Sequence, residues 1–216
     1  DDLLSINPKL IYGRMTGWGQ TGGFSSEAGH DINYIALTGA LGAMGSKDTP
    51  PFPPLNLVGD FGGGGMLLAM GICAALVESS KSGKGQVIDA AMTDGSALLM
   101  TMMYGMLSAG QWKDQRDSNL LDGAAHFYGC YECKDNKYIS IGSIEPQFYA
   151  SLIKCMELDE TTFYNQFDQK QWPELKKLVS ERFKTRTRDE WCEIFMGKDV
   201  CFAPVLSLQE SVNYQH

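Results

Sequence analysis

Two long uncharged stretches constrain the fold of this chain most strongly. They lie between Asp60 and Glu78 and between Asp94 and Lys113. Each stretch falls short of the roughly 20 apolar residues that a membrane-spanning helix needs, and each contains glycine. The sequence therefore predicts two buried helices of a globular protein and no membrane partner. The composition agrees, since 44% of the residues are hydrophobic and 20% are charged, as in average globular domains.

The first half of the chain alternates between strand and helix signals. Residues Pro8–Thr16 have the β-branched and aromatic content of a buried strand, and a loop rich in glycine and serine follows. A short helix is predicted from His30 to Leu41, and an apolar helix from about Met66 to Val77, with Asp60 just before its start. The methionine-rich stretch Gln86–Leu107 predicts one long, largely buried helix.

The pattern changes in the second half. Residues Phe127–Cys133 and Lys137–Ile141 flank a polar turn and predict two short paired strands. Glu145 precedes a proline at a predicted helix start, where proline is tolerated. The remaining predicted elements are a third strand over Val200–Pro204, helices over Trp172–Phe183 and Arg188–Met196, and helix starts at the capping pairs Thr187 with Glu190 and Ser207 with Glu210.

These signals predict an α/β fold in three parts. Residues 1–110 form an incomplete large domain, residues 111–126 a helical linker, and residues 127–216 a small α+β domain with a short antiparallel sheet. A chain of 216 residues is long enough for one large core or two modest ones.

Charge and cysteine content exclude several classes of protein. The net charge of −8 argues against a nucleic-acid partner, which needs clustered Lys and Arg. Six scattered cysteines indicate buried thiols in a reducing intracellular compartment. Cys130 and Cys133 form a CxxC pair without a second pair or a nearby His, so no metal site is predicted.

A GxGxxG pattern at Gly17, Gly19 and Gly22 invites a dinucleotide-binding interpretation. That motif requires a helix to open within the glycines, and here Gly23 and a run of serines follow. Nicotinamide and flavin binding are therefore not predicted.

Two residues are candidates for proton transfer. His30 follows a glycine and heads a predicted helix, whose N-terminal field favours the neutral, basic imidazole. Asp60 lies between apolar residues and a glycine run that permits close approach of a ligand to the backbone. Each residue also has a structural interpretation, since Asp60 and Glu145 fit helix N-caps and an isolated histidine is more often structural.

Several segments, in this order, resemble the alpha-methylacyl-CoA racemases of the family III CoA-transferase superfamily. The similarity extends from about Asn7 to Gln209. It is carried by the segments Gly29–Tyr34 (GHDINY), Asn56–Gly65 (NLVGDFGGGG), Gly83–Asp89 (GKGQVID), Ile144–Tyr149 (IEPQFY) and Trp191–Phe195 (WCEIF).

The resemblance implies roles for individual residues. His30 and Asp60 would be the two acid/base residues on opposite faces of the substrate's α-carbon, and Glu145 would orient the imidazole of His30. The site for the CoA thioester would be lined by Gly29, Asp31, Ile32, Asn33, Tyr34 and Asn56. The thioester itself activates the α-proton, so neither a metal nor an organic cofactor is expected.

The resemblance also implies a setting. The substrate would be a 2-methylacyl-CoA, the large domain would be part of a Rossmann-like CoA-transferase domain, and the protein would be an interlocked homodimer. It would occur in peroxisomes and mitochondria if the source is eukaryotic. The chain would be a central fragment lacking the family's N-terminal and C-terminal portions.

Two alternatives stay open at this point. In the first, Asp60 attacks a CoA thioester as the nucleophile of a family III CoA transferase, a reaction that needs no second base. In the second, the chain is an inactive truncated module that binds partners or dimerises.

Overall fold

The computed structural model describes residues 2–215. The chain separates into two compact units, the first ending at Arg116 and the second beginning at Asp117. Both units mix helices with strands, in agreement with the predicted α/β class. Each unit is described separately.

Unit 1 is built on a parallel pair of strands. β1 (Ile11–Thr16) pairs in parallel with β2 (Gln86–Ala91), from Ile11 opposite Gln86 to Thr16 opposite Ala91. The helices of this unit are α1 (Asp2–Ile6), α2 (Asp31–Leu37), a 3₁₀ turn (Leu41–Ala43), a π-helix (Leu57–Met66), α3 (Leu67–Ser82), α4 (Met92–Leu99) and α5 (Thr101–Ser108).

The prediction of one long helix over Gln86–Leu107 was wrong. Its first six residues form β2, and Met100 separates α4 from α5. Val87 and Ile88 favour an extended backbone, and the hydrogen-bonding partner of β2 lies 75 residues earlier in the chain. Continuous apolar character cannot by itself distinguish a buried strand from a buried helix.

The prediction that both uncharged stretches are buried was also wrong for much of their length. Met66, Met70 and Val77 are exposed in the first stretch, and Leu98 and Met102 in the second. A helix buries its apolar face only where another layer covers it. Within the described residues, a two-stranded sheet leaves these faces uncovered.

One helical stretch has the length and composition of a membrane span. The π-helix and α3 together cover Leu57–Ser82, and among residues 2–215 only this stretch meets those two criteria. Buried helices of globular proteins can meet the same criteria, so this stretch is weak support for a membrane partner.

Unit 2 contains a three-stranded antiparallel sheet. β3 (Tyr128–Glu132) pairs with β4 (Tyr138–Gly142), and β4 pairs with β5 (Phe202–Val205). The helices are α6 (Pro146–Cys155), α7 (Trp172–Phe183), α8 (Arg188–Phe195) and α9 (Leu208–Asn213). The core of unit 2 is strongly aromatic and includes Phe127, Tyr131, Tyr149, Phe163, Trp172, Phe183, Trp191 and Phe195.

The segment 111–126, predicted as a helical linker, contains turns and bends and no helix. The carboxylate of Asp122 accepts hydrogen bonds from the backbone N–H groups of Ser118, Asn119 and Ala124. Such side-chain bonds compete with helical hydrogen bonding. Residues 117–126 belong to unit 2.

The predicted capping box at Thr187 is confirmed, and it allows a stability test. The Thr187 hydroxyl accepts from the Glu190 amide, while the Glu190 carboxylate accepts from the Thr187 amide. We expect Thr187→Ala to lower the free energy of unfolding by about 1 kcal/mol, measured by urea denaturation. Thr187→Ser keeps the hydroxyl and should be close to wild type, and an equal loss in both variants would contradict the capping role.

Candidate active site

His30 lies at the N-terminus of α2. It is the N-cap residue, with an extended backbone (φ −134°, ψ 173°). Its amide donates to Oδ1 of Asn33 at 3.1 Å, and the Asn33 amide donates back to the His30 carbonyl at 2.8 Å. The backbone is thus fixed, and the imidazole is exposed. The ring is therefore accessible to a substrate.

Asp60 lies inside the π-helix instead of before a helix start. Its side chain is half-buried, and its Oδ2 accepts from Nδ2 of Asn56 at 2.8 Å. Asn56 precedes the π-helix with a left-handed backbone (φ 61°), a conformation that asparagine tolerates better than most residues. π-Helical turns are rare and frequently occur at functional sites.

Asp31 connects the two candidate bases. It is the residue after His30, and its Oδ2 accepts from the backbone amides of Gly59 and Asp60 at 2.7 and 2.8 Å. The start of α2 and the first turn of the π-helix are therefore held together by one carboxylate. The structure brings the backbones of His30 and Asp60 into one neighbourhood, as the prediction of a shared site requires.

An aromatic cluster borders this neighbourhood. The Tyr34 hydroxyl donates to the Gly29 carbonyl. The Trp18 ring lies 4.7 Å from that of Tyr34, edge to face, and 5.0 Å from that of Phe24, stacked. Burial raises the pKa of Tyr34, and the negative charge of Asp60 raises it further, so the phenol stays neutral beside the carboxylate.

Comparison with known proteins identifies the family. All of the chain, residues 1–216, matches the family described as CoA-transferase family III. The chain belongs to CoA-transferase family III. The resemblance stated from the motifs is therefore confirmed.

The relatives of this family III chain include two named racemases. Alpha-methylacyl-CoA racemase of Mus musculus is 47% identical over 216 residues, covering 100% of this chain and 57% of that protein. The Homo sapiens protein of the same name is 45% identical over 210 residues, covering 97% of this chain and 55% of that protein. The chain thus spans little more than half the length of these relatives.

A solved structure shares the fold of this chain. The crystal structure of a CAIB/BAIF family protein from Brucella suis matches with a TM-score of 0.75 and 24% identity, covering 98% of this chain and 57% of that one. At this level of identity the match establishes the fold alone. The family III chain thus has the same fold as part of that solved structure.

The predicted substrate-binding residues fall into two groups. Gly29 and Ile32 border the start of α2, where the Ile32 side chain is exposed. The side chains of Asn33, Tyr34 and Asn56 hold the backbones or side chains of their neighbours. Contact of any of them with a thioester stays a prediction.

Glu145, the third predicted catalytic residue, belongs to unit 2. It is the N-cap residue of α6, and its side chain is exposed. Orientation of the His30 ring by Glu145 stays a prediction.

Sequence reasoning missed two residues of this neighbourhood and the role of a third. Trp18 and Phe24 lie in the loop that was interpreted by its glycines alone, although two aromatic residues in a glycine-rich loop are a usable signal for a packed surface. The role of the Asp31 side chain was also missed, because a contact 28 residues away in sequence leaves no local pattern.

The two CxxC cysteines differ in exposure. Cys130 is exposed and Cys133 is buried. Burial, aided by the charge of Asp135, raises the pKa of Cys133 to about 11. No cluster of three His, Cys, Asp or Glu residues is present within residues 2–215.

Proposed function

We propose that this family III chain carries the proton-transfer centre of an alpha-methylacyl-CoA racemase, which interconverts (2R)- and (2S)-2-methylacyl-CoA thioesters. The observation that carries the proposal is the Asp31 carboxylate, which holds Asp60 next to the segment that presents His30. The relatives named as racemases support the same activity.

The proposed reaction is a 1,1-proton transfer with two bases. His30 removes the α-proton of one epimer, and the carbanion is delocalised into the thioester as an enolate. Asp60, in its protonated form, then donates a proton to the opposite face of the α-carbon. For the other epimer the two residues exchange roles. Electron withdrawal by the thioester supplies the acidity, so the proposed reaction uses no cofactor.

The identity of the two bases fits the positions they occupy. His30 is exposed at the N-terminus of α2, where its imidazole can accept a proton from a substrate. Asp60 is half-buried in the π-helix, and its carboxyl group is the one that must return the proton. One imidazole and one carboxylate then suffice for transfer in both directions.

We further propose that Glu145 of a partner subunit orients the His30 imidazole in an interlocked homodimer. Glu145 is exposed at the N-terminus of α6 and is available for such a contact. In a eukaryote, the proposed activity would act on branched-chain fatty acid and bile acid intermediates in peroxisomes and mitochondria. Size-exclusion chromatography with light scattering, and organelle fractionation, test these two points.

The decisive experiment is α-proton exchange of a 2-methylacyl-CoA in deuterated water. We expect the protein, completed to the length of its relatives, to exchange the α-proton of both epimers. His30→Ala and Asp60→Ala should each reduce epimerisation by roughly 10²–10⁴-fold, the usual contribution of a general acid or base. Each variant should retain more exchange with the epimer whose proton is removed by the remaining base.

A matched control is Asp94→Ala, which removes an exposed first-turn aspartate of α4 and should leave exchange unchanged. Full epimerisation by Asp60→Ala would overturn the racemase proposal. Absence of exchange in the completed wild type, together with transfer of CoA to a free carboxylic acid, would establish Asp60 as the nucleophile of a CoA transferase instead. Absence of both reactions would support a binding or dimerisation module.

A further inference from the structure

The Asp31 side chain is almost fully buried, with 1% of its surface exposed. A buried carboxylate is costly unless it is hydrogen-bonded, and both bonds made by Asp31 go to backbone amides of the π-helix through Oδ2. These amides belong to the first turn of the π-helix, where N–H groups lack an intrahelical acceptor. Asp31 therefore caps the helix that carries Asp60, and it does so from another element.

The fit between Asp31 and the π-helix is close. A Cβ atom built at Gly59 would lie 2.5 Å from Oδ2 of Asp31, so a larger residue here would displace the Asp31 carboxylate. The carboxylate of Asp60 is held separately, by Nδ2 of Asn56. Asp60 is thus fixed at two points, its backbone by Asp31 and its side chain by Asn56.

We propose that Asp31 is a positioning residue that sets the distance between the two proton-transfer groups. This inference rests on the proposed function, because it concerns the racemase reaction of His30 and Asp60. Asp31 is bonded covalently to His30 and accepts a hydrogen bond from the amide of Asp60, so it connects the two residues directly. Misplacement of a reacting group by about 1 Å can cost 10²-fold in rate.

In this proposal the Asp31 side chain positions Asp60 and does not contact the substrate. Oδ1 is buried and has no partner among the described residues. A carboxylate that bound the thioester directly would instead be open to solvent before the substrate arrives. The expected defect of a variant therefore lies in kcat and not in KM.

The experiment compares Asp31→Ala with Asp31→Asn in two measurements. The first is amide hydrogen exchange at Gly59 and Asp60 in the chain itself, which requires no activity. The second is kcat and KM for epimerisation in the protein completed to the length of its relatives. The carbonyl oxygen of asparagine can accept both amides, so Asp31→Asn should retain the cap, whereas Asp31→Ala should lose it.

We expect Asp31→Ala to accelerate exchange of both amides by about 10-fold or more. It should lower kcat by roughly 10²-fold with little change in KM, and Asp31→Asn should largely restore both properties. If Asp31→Ala does not fold, Asp31→Ser, whose hydroxyl is too short to reach both amides, replaces it in both measurements.

The outcomes separate the two proposals. A completed wild type that does not epimerise overturns the proposed function, and with it the positioning role in that reaction. An active wild type with an equally active Asp31→Ala variant overturns the positioning role alone. A variant that loses affinity for substrate at unchanged kcat, or an Asp31→Asn variant as defective as Asp31→Ala, also overturns it.

Discussion

Replacing Gly95 by alanine is expected to unfold unit 1. Gly95 of α4 crosses the π-helix at Gly63 in close backbone contact, and a Cβ atom at Gly95 would overlap the carbonyl oxygen of Gly63. Substitution of the facing glycine is equally constrained, because a Cβ at Gly63 would lie 2.6 Å from the Ser96 amide nitrogen. Both obstacles are backbone atoms, so the two helices must separate. We expect a loss of more than about 3 kcal/mol.

Amide hydrogen exchange, read by mass spectrometry, measures this effect separately in the two units. Peptides from 57–66 and 92–99 should lose protection in Gly95→Ala, while peptides from unit 2 serve as an internal reference. Gly105→Ala is the matched control, because a Cβ there meets no atom within 4 Å, and alanine in a helix is favoured over glycine by about 1 kcal/mol. Retained protection in Gly95→Ala would show that the crossing does not require glycine.

Unit 2 was predicted well because its signals are local. Proline after Glu145 and the capping pairs at Thr187 and Ser207 mark the starts of α6, α8 and α9. A capping pair satisfies backbone donors within four residues, so its physical cause is visible in a short window of sequence. The strands β3 and β4 flank a polar turn for the same reason.

Unit 1 was predicted less well because its structure depends on distant partners. β2 is a strand through pairing with β1, and the π-helix is shaped by the contact of Gly63 with Gly95. A glycine run indicates that something approaches the backbone closely, but not which element does so. The sequence thus located Asp60 near a helix and left the π-helical conformation unpredicted.

The candidate site likewise combines residues that local sequence signals identified with a contact that depends on a distant partner. His30 and Asp60 were selected from their local contexts and from family resemblance. The contact that relates them is made by Asp31, whose side chain reaches across 29 positions to the Asp60 amide. Neither a periodic pattern nor residue spacing encodes such a contact, so its discovery required the structure.

His126 lies in the core of unit 2. Its side chain is fully buried. The Tyr149 hydroxyl donates to the Phe163 carbonyl at 3.0 Å and therefore accepts from Nε2 of His126 at 2.7 Å. Nδ1 is buried without a partner among the described residues. The imidazole is thus neutral, and a second proton would be buried on Nδ1 without an acceptor.

This environment predicts a pH dependence of stability. Burial lowers the pKa of His126 from 6.5 to about 4. In the unfolded chain the imidazole takes up a proton as pH falls below about 6.5, whereas in the folded chain it does not until about pH 4. The unfolded state therefore binds more protons in this window, and stability falls with pH. The loss should be about 2 kcal/mol between roughly pH 7.5 and pH 5, and about 3 kcal/mol by pH 4.

Comparison with His126→Gln isolates this contribution. The glutamine amide can donate to Tyr149 and does not titrate, so the variant should lack the stability loss whatever its stability at neutral pH. All other residues are common to the two proteins, so their contributions cancel in the difference. Urea unfolding is measured for wild type and variant at each pH. The unfolding free energy of the wild type minus that of the variant should fall by about 2 kcal/mol between roughly pH 7.5 and pH 5. Parallel curves would mean that His126 accepts a proton in the folded protein, which would require the aromatic core around it to open.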